Sequence, residues 1–347
     1  MKGIILSAIA LISMGLANNA NAQSGSKNVN ITTYTYAVKG QDSLKLDIYL
    51  REDLKAGISN PDQQKLPVMM YVHGGGFVGG SRINAAQEVF LRHYAEQGYM
   101  GVSIDYRLAG MTPEQPVSKY GCKSTAEVIQ VATHDMADAT AWLLKNYPQI
   151  DAKKIFTSGG SAGAFTILQI EYDICNNAPY ILENLPKDFN YAGIISAAGS
   201  IYVMPDEELT FQRKPCPIFF LQGSEDKIVS EEAGWMLGIK MFRAETLHKI
   251  FSEKQFPHWT YIEKGADHVV AMSHLTDNLE ETDKFIRKFV NEGKPACVYT
   301  EWQAEEPAGM ADVNAMIKWV PLYILGYDKY LKDLDFNNIQ KPQNVVY

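Results

Sequence analysis

Two hydrophobic periods alternate along this chain. Residues 29–38 and 44–50 read as strands, and in the second Leu44, Leu46, Ile48 and Leu50 alternate with Lys45, Asp47 and Tyr49. That period of two marks a half-buried strand, and Gly40-Gln41-Asp42 supplies a hairpin connection. Residues 67–72 are apolar without a break, as expected of a strand covered on both faces. Shorter runs of the same kind end at residues 104, 157, 195, 221 and 262. Helical spacing separates them at 85–97, 231–250, 275–290 and 132–147, where Met136, Ala139, Leu143 and Leu144 recur before Pro148. Residues 52–66 read as a solvated loop, and 107–132 and 197–214 as irregular insertions. Strands alternating with helices predict a mostly parallel sheet of about eight strands, with helices on both faces. Nothing marks a linker, so residues 23–347 form one predicted α/β domain.

The two ends change this picture. Lys2 followed by an apolar run over residues 4–16, then Ala20-Asn21-Ala22, has the form of a secretory signal with an A-x-A cleavage site. Residues 1–22 are therefore expected to be removed and the mature chain to begin at Gln23, soluble and exported. No later segment approaches the roughly 20 apolar residues of a membrane span. At the other end, residues 293–347 (Trp302, Met310, Trp319, Tyr323, Tyr327, Tyr330) are too apolar for a solvated tail. They are expected to pack on the domain or cap its site.

Composition narrows the function. Among 347 residues, 46% are hydrophobic, enough for a sizeable core. The net charge of −8 lacks the basic footprint of a nucleic-acid binder. The four cysteines, Cys122, Cys175, Cys216 and Cys297, permit two disulfides in an exported chain, or four free thiols. No Cys-x-x-Cys or Cys/His spacing points to zinc, and no motif calls for a cofactor.

The chemistry centres on Gly159-Gly160-Ser161-Ala162-Gly163. A short strand precedes it and an apolar helix, Ala164-Phe165-Thr166-Ile167-Leu168, follows. That is the strand–turn–helix context of a G-x-S-x-G nucleophile elbow. A serine presented on such a turn needs neighbours nearly free of side chains, and the helix N-terminus offers a backbone N–H to a developing oxyanion. Serine also needs a base. His268 follows the strand ending at 262, and Asp226 follows the strand ending at 221, so both fall at strand carboxyl ends, where sites in open α/β sheets gather. The order Ser161, Asp226, His268 is that of the α/β-hydrolases. In these roles the imidazole takes the hydroxyl proton and the carboxylate orients the imidazole. His73-Gly74-Gly75-Gly76-Phe77 closes another buried strand. Its glycines expose backbone N–H groups, and Gly75 and Gly76, with Ala162, are the expected oxyanion donors, Gly74 being a substitute.

Alternatives stay open at single positions. Glu225 and Asp267 compete with Asp226 as the acid, and His258 and His274 compete with His268. His73 is expected to buttress the glycine loop. Phe77, Tyr106, Trp235 and Trp259 are weighed as an acyl pocket against plain packing.

Residues 73–77 (HGGGF), Asp105-Tyr106-Arg107, residues 159–163 (GGSAG), residues 223–226 and His268 together resemble α/β-hydrolase-fold serine carboxylesterases. The likeness is to the hormone-sensitive-lipase-like esterases and the bacterial feruloyl or acetyl-xylan esterases, over roughly residues 44–290. It implies hydrolysis of carboxylic esters through an acyl-enzyme, with acetyl or feruloyl esters of glycans as substrates. It also implies a structural role for Arg107, paired with an acid such as Asp135. Two other readings share the fold: a prolyl-oligopeptidase-type serine peptidase, and a non-catalytic binding protein.

Overall fold

The apolar runs become strands of one sheet. The structure, a computed structural model, describes residues 28–55, 65–110 and 117–303. The expected signal segment, most of the 293–347 extension and part of the 107–132 insertion lie outside the described residues. β1 (Val29–Lys39) and β2 (Asp42–Arg51) form the hairpin. β3 (Leu66–Val72), α1 (Ala85–Glu96), β4 (Met100–Ile104), α2 (Thr125–Asn146), β5 (Ile150–Gly160) and α3 (Ala162–Cys175) follow in strict alternation. Then come α4 (Pro179–Asn184), β6 (Gly193–Ala197), β7 (Ser200–Val203), β8 (Ile218–Gly223), α5 (Glu231–Met236), β9 (Lys240–Arg243), α6 (Ala244–Glu253), β10 (His258–Lys264), α7 (Leu279–Phe285) and β11 (Cys297–Gln303).

Among the described residues, nine strands pair in the order β1-β2-β4-β3-β5-β6-β8-β10-β11. Only the contacts of β2 with β1 and β4 are antiparallel, and every other neighbour is parallel. Side chains on β3 alternate between two cores. Val68, Met70 and Val72 face a layer containing Met136 of α2, Ile167 of α3 and Phe251 of α6. Met69 and Tyr71 face a second layer with Phe90 and Tyr94 of α1 and Phe285 of α7. A strand buried on both faces has no polar side to alternate with, which is why its sequence is uniformly apolar.

Four expectations differ from what the chain does, and the first is the half-buried strand at 44–50. In β2 Asp47 and Tyr49 are buried along with Leu46, Ile48 and Leu50, because α1 and the second core cover the other face. The strand count agrees with the eight or so expected: among the described residues there are nine, β11 extending the sheet past β10. That edge strand accounts for the first part of the C-terminal extension. The insertion at 107–132 ends early: α2 starts at Thr125, capped by the Ser124 side chain on the Glu127 N–H. Ser124 with Glu127 is a helix-start signal that the sequence carried. Within 197–214, β7 pairs antiparallel with β9, and β9 interrupts the helix expected over 231–250. The partner of β9 lies some forty residues away, so no local period announces it. The helix expected over 275–290 is a 3₁₀ turn at His268–Leu275, then α7, then a π turn at Ile286–Asn291.

All four cysteines are free thiols, Cys122, Cys175 and Cys216 buried and Cys297 exposed. Among the described residues, no helix is long and apolar enough to cross a membrane, and no group of His, Cys, Asp or Glu is placed to hold a metal ion.

Candidate active site

The parallel sheet brings three loops to one edge. Ser161 stands between β5 and α3 with φ +52° and ψ −123°, a left-handed conformation that a serine adopts only under constraint. The constraint is packing. A Cβ on Gly160 would overlap the Ala271 carbonyl, and one on Gly163 would overlap the Val72 carbonyl. The elbow is thus wedged between β3 and the 3₁₀ turn that carries His268. From that turn, His268 Nε2 accepts the Ser161 hydroxyl at 2.8 Å. Its Nδ1–H donates to Asp226 Oδ2 at 2.9 Å. Ser161 and His268 are 107 residues apart in the chain, and His268 and Asp226 are 42 apart.

Asp226 is buried. Burial alone would push its carboxyl up; the adjacent His268 and the N–H groups of Val229 and Ile228 outweigh that and hold it below the ordinary carboxylate value. The two N–H groups donate to Oδ1 at 3.0 and 2.9 Å, and Arg243 Nη1 donates to the Asp226 carbonyl at 3.1 Å. The rival acids sit elsewhere: Glu225 is solvent-exposed, and Asp267 caps the Val269 N–H. Of the rival bases, His258 bonds to His248. His274 is sealed behind the elbow, its ring 3.2 Å from where a Gly160 Cβ would stand.

The glycine loop lies on the other side of Ser161. A Cβ on Gly74 would come within 3.4 Å of the Ser161 Cβ and 2.9 Å of the Gly160 oxygen, so this residue has to be glycine for the loop to reach the nucleophile. Gly75 has φ +114°, open only to glycine. Its carbonyl accepts from Val78 and Gly79, which folds the loop back on itself. Among the described residues, the N–H groups of Gly75, Gly76 and Ala162 meet no backbone acceptor in the protein. Below the loop, His73 stacks on Tyr106 at 4.3 Å between ring centres, and Tyr106 donates its hydroxyl to the His73 carbonyl at 2.8 Å. His73 is therefore a buttress. Arg107 pairs with the buried Asp135 through Nε and Nη2 and through its own N–H, tying the segment after β4 to α2. A cavity of about 320 Å³ opens behind His73, lined by Asp42, Asp105, Arg107, Lys119 and Tyr120. Its lining lacks Ser161, and Lys119 and Tyr120 are both spent on Asp42.

The aromatic residues divide. Phe77 and Tyr106 are buried against each other. Trp259 packs on Phe219 and Phe289 in the second core, its indole N–H on Thr300, and so belongs to the fold. Trp235 is 59% exposed. Sequence reasoning missed Arg243, which carries no local signal. It also missed Gln222, whose signal is a polar residue near the end of a strand that is otherwise apolar.

His274 supplies a stability prediction. Burial lowers its imidazole to about 3, with the Ala271 backbone opposing. In the unfolded chain it protonates near pH 6.5, so between about pH 6.5 and 3 the unfolded state binds the extra proton and stability falls as pH falls. Asp173, which burial raises to about 6, acts in the opposite sense below that pH, so the useful quantity is a difference. His274→Phe keeps a ring beside Tyr71 and Phe90, and its Tm is expected to drop less than that of wild type between pH 7 and 4. Parallel Tm curves for the two proteins would remove His274 from the acid response.

Known proteins resemble this chain in sequence over its N-terminal half and in fold. The family described as BD-FAE, one of α/β-hydrolase esterases, matches residues 46–200, a span that includes the glycine loop and the elbow. Catharanthine synthase of Catharanthus roseus is 33% identical over 134 residues, 34% of this chain and 38% of its own length. Probable carboxylesterase 13 of Arabidopsis thaliana is 33% identical over 126 residues, 35% of this chain and 36% of its own. The chain thus spans little more than a third of the length of these two relatives. The structure of Thermogutta terrifontis esterase 2 phosphoramylated by tabun superposes with a TM-score of 0.53 at 18% identity, over 77% of this chain and 96% of that one. At that identity the fold is what the two share. The chain has the α/β-hydrolase fold, and over residues 46–200 it is similar to the BD-FAE family of esterases.

Proposed function

We propose that this protein is an exported serine carboxylesterase, acting on acetyl or feruloyl esters of glycans. The observation that carries the activity is the continuous relay from Ser161 through His268 to the buried Asp226, next to a glycine loop whose Gly75 and Gly76 N–H groups meet no backbone acceptor among the described residues. In the proposed reaction Ser161 Oγ attacks the ester carbonyl while its proton passes to His268 Nε2. The negative oxygen of the tetrahedral intermediate takes N–H bonds from Gly75, Gly76 and Ala162. Collapse expels the alcohol, which receives the proton from His268, and leaves an acyl-Ser161. Water then enters, loses a proton to the same nitrogen, and releases the acid.

Buried Asp226 stabilises the imidazolium that forms in both halves. The glycan ester and export rest on less: the first on the resemblance of the motifs, the second on the pattern at residues 2–22. Incubation with p-nitrophenyl acetate, methyl ferulate and acetylated xylan tests activity and substrate, with fluorophosphonate labelling counted per chain. Turnover with one label per chain on Ser161 is expected, and no turnover on any ester together with no label would sink the reading. N-terminal sequencing of the exported protein should begin at Gln23; an intact Met1 would count against export.

A further inference from the structure

Gln222 is the next-to-last residue of β8, and its side chain is as buried as the phenylalanines before it. Its Nε2 donates to Asp226 Oδ2 at 2.7 Å, the oxygen that also accepts from His268 Nδ1. With Ile228 and Val229 on Oδ1, the carboxylate receives four donors, two on each oxygen. The other end of the amide is different: Gln222 Oε1 is buried without a hydrogen-bond partner among the described residues. A buried acceptor left unpaired is costly, so its presence says which end of the amide matters. Turned over, the amide would set Oε1 against Oδ2, two acceptors in contact, and the buried charge would lose a donor. The charge-assisted bond to Asp226 prevails over the orphaned carbonyl.

We infer that Gln222 is a positioning residue of the relay, locking Asp226 Oδ2 onto His268 Nδ1 and sharing the charge of that oxygen with the imidazole. The inference rests on the serine-hydrolase reading of the site. Two backbone donors hold Oδ1 but leave the carboxylate free to tilt about that end; the amide stops the tilt. Other charged or titratable groups around the imidazole are few. Asp226 faces it from the loop after β8 and Ser161 from the elbow, while Asp267 precedes it in the chain. Arg243 of β9 reaches the Asp226 carbonyl and pairs with Glu245, and Glu225 points to solvent.

Gln222→Met removes the donor at nearly the same volume and is the main test. Its kcat per titrated site should fall roughly ten-fold with KM unchanged, the loss of one hydrogen bond to a charge. The acid limb of its kcat/KM profile should move to higher pH, since an unshared Oδ2 holds the imidazolium more firmly. For the same reason the low-field proton resonance of the His268 Nδ1–H should move downfield. Gln222→Glu restores a donor whenever the paired carboxyls share one proton, so its kcat should recover at low pH and fall as that proton leaves. A purely structural role would lower Tm in both variants and move neither the acid limb nor the resonance. A Gln222→Met enzyme with wild-type kcat, acid limb and resonance overturns the inference; should that variant not fold, an unchanged pH profile in Gln222→Glu does so. The resonance is read whether or not esters turn over, so it decides the Gln222 contact even if wild type proves inactive and the esterase reading falls.

Discussion

Ser161→Ala is expected to lower kcat for p-nitrophenyl acetate by roughly 10⁵- to 10⁶-fold, the scale on which a serine-hydrolase relay fails when its nucleophile is removed. The fold should survive. Among the described residues the Ser161 hydroxyl has one hydrogen-bond partner, His268, while the elbow is held by contacts of Gly160 and Gly163 that the substitution leaves alone. Alanine also retains the Cβ that the φ +52° conformation already accommodates. The variant should therefore have a near-native Tm, fail to take a fluorophosphonate label, and keep any ester binding. Residual catalysis over water from the oxyanion N–H groups is the floor. A purified Ser161→Ala protein within ten-fold of wild type would mean that another group attacks the ester.

Asp226→Asn is the next largest, with an expected loss in kcat of about 10⁴-fold. The surroundings of the carboxylate dictate how the amide must sit. Ile228 and Val229 donate to Oδ1, so the asparagine carbonyl stays there and its NH₂ replaces Oδ2. That NH₂ then faces two donors, Gln222 Nε2 and His268 Nδ1–H. The imidazole relieves its half of the conflict by moving its proton to Nε2. In that tautomer Nε2 donates to Ser161 and has no lone pair for the serine proton, which stops general-base catalysis. Steady-state rates and the labelling rate of Ser161 should fall together. Wild-type-like rates in Asp226→Asn would instead place the acid at Glu225 or Asp267.

Much of this architecture is readable in the residues. The uninterrupted apolar run of β3 follows from burial on two faces, a local property of that strand, whereas the alternation in β2 points to one buried face although Asp47 and Tyr49 on its other face are buried as well. The elbow is legible because sterics demand it: only small residues fit where Gly160 and Gly163 meet carbonyls of other segments. The glycine loop is legible for a related reason, since Gly75 occupies a backbone region closed to side chains. The start of α2 was written in Ser124 and Glu127 and was passed over. By contrast, β7 and β9 are four residues each and pair only with one another. Their formation depends on a distant partner, so propensity within either segment says nothing decisive. Gln222 showed only as a polar residue near the end of an apolar strand, and its use depends on which way the loop after β8 turns.

The amino-acid sequence by itself determined the class of fold, the candidate nucleophile and the kind of chemistry within reach, because periodicity and steric permission are written in neighbouring residues. Only the tertiary structure decided which histidine and which acid stand beside that serine. Asp226, Glu225 and Asp267 are alike in sequence as carboxylates beside a strand end, and His258, His268 and His274 are alike as imidazoles. Parallel strands side by side in the sheet carry one of each to within 3 Å of its neighbour. The others are turned to solvent, into the core or onto nearby backbone, and hydrogen bonding acts over that distance and no further.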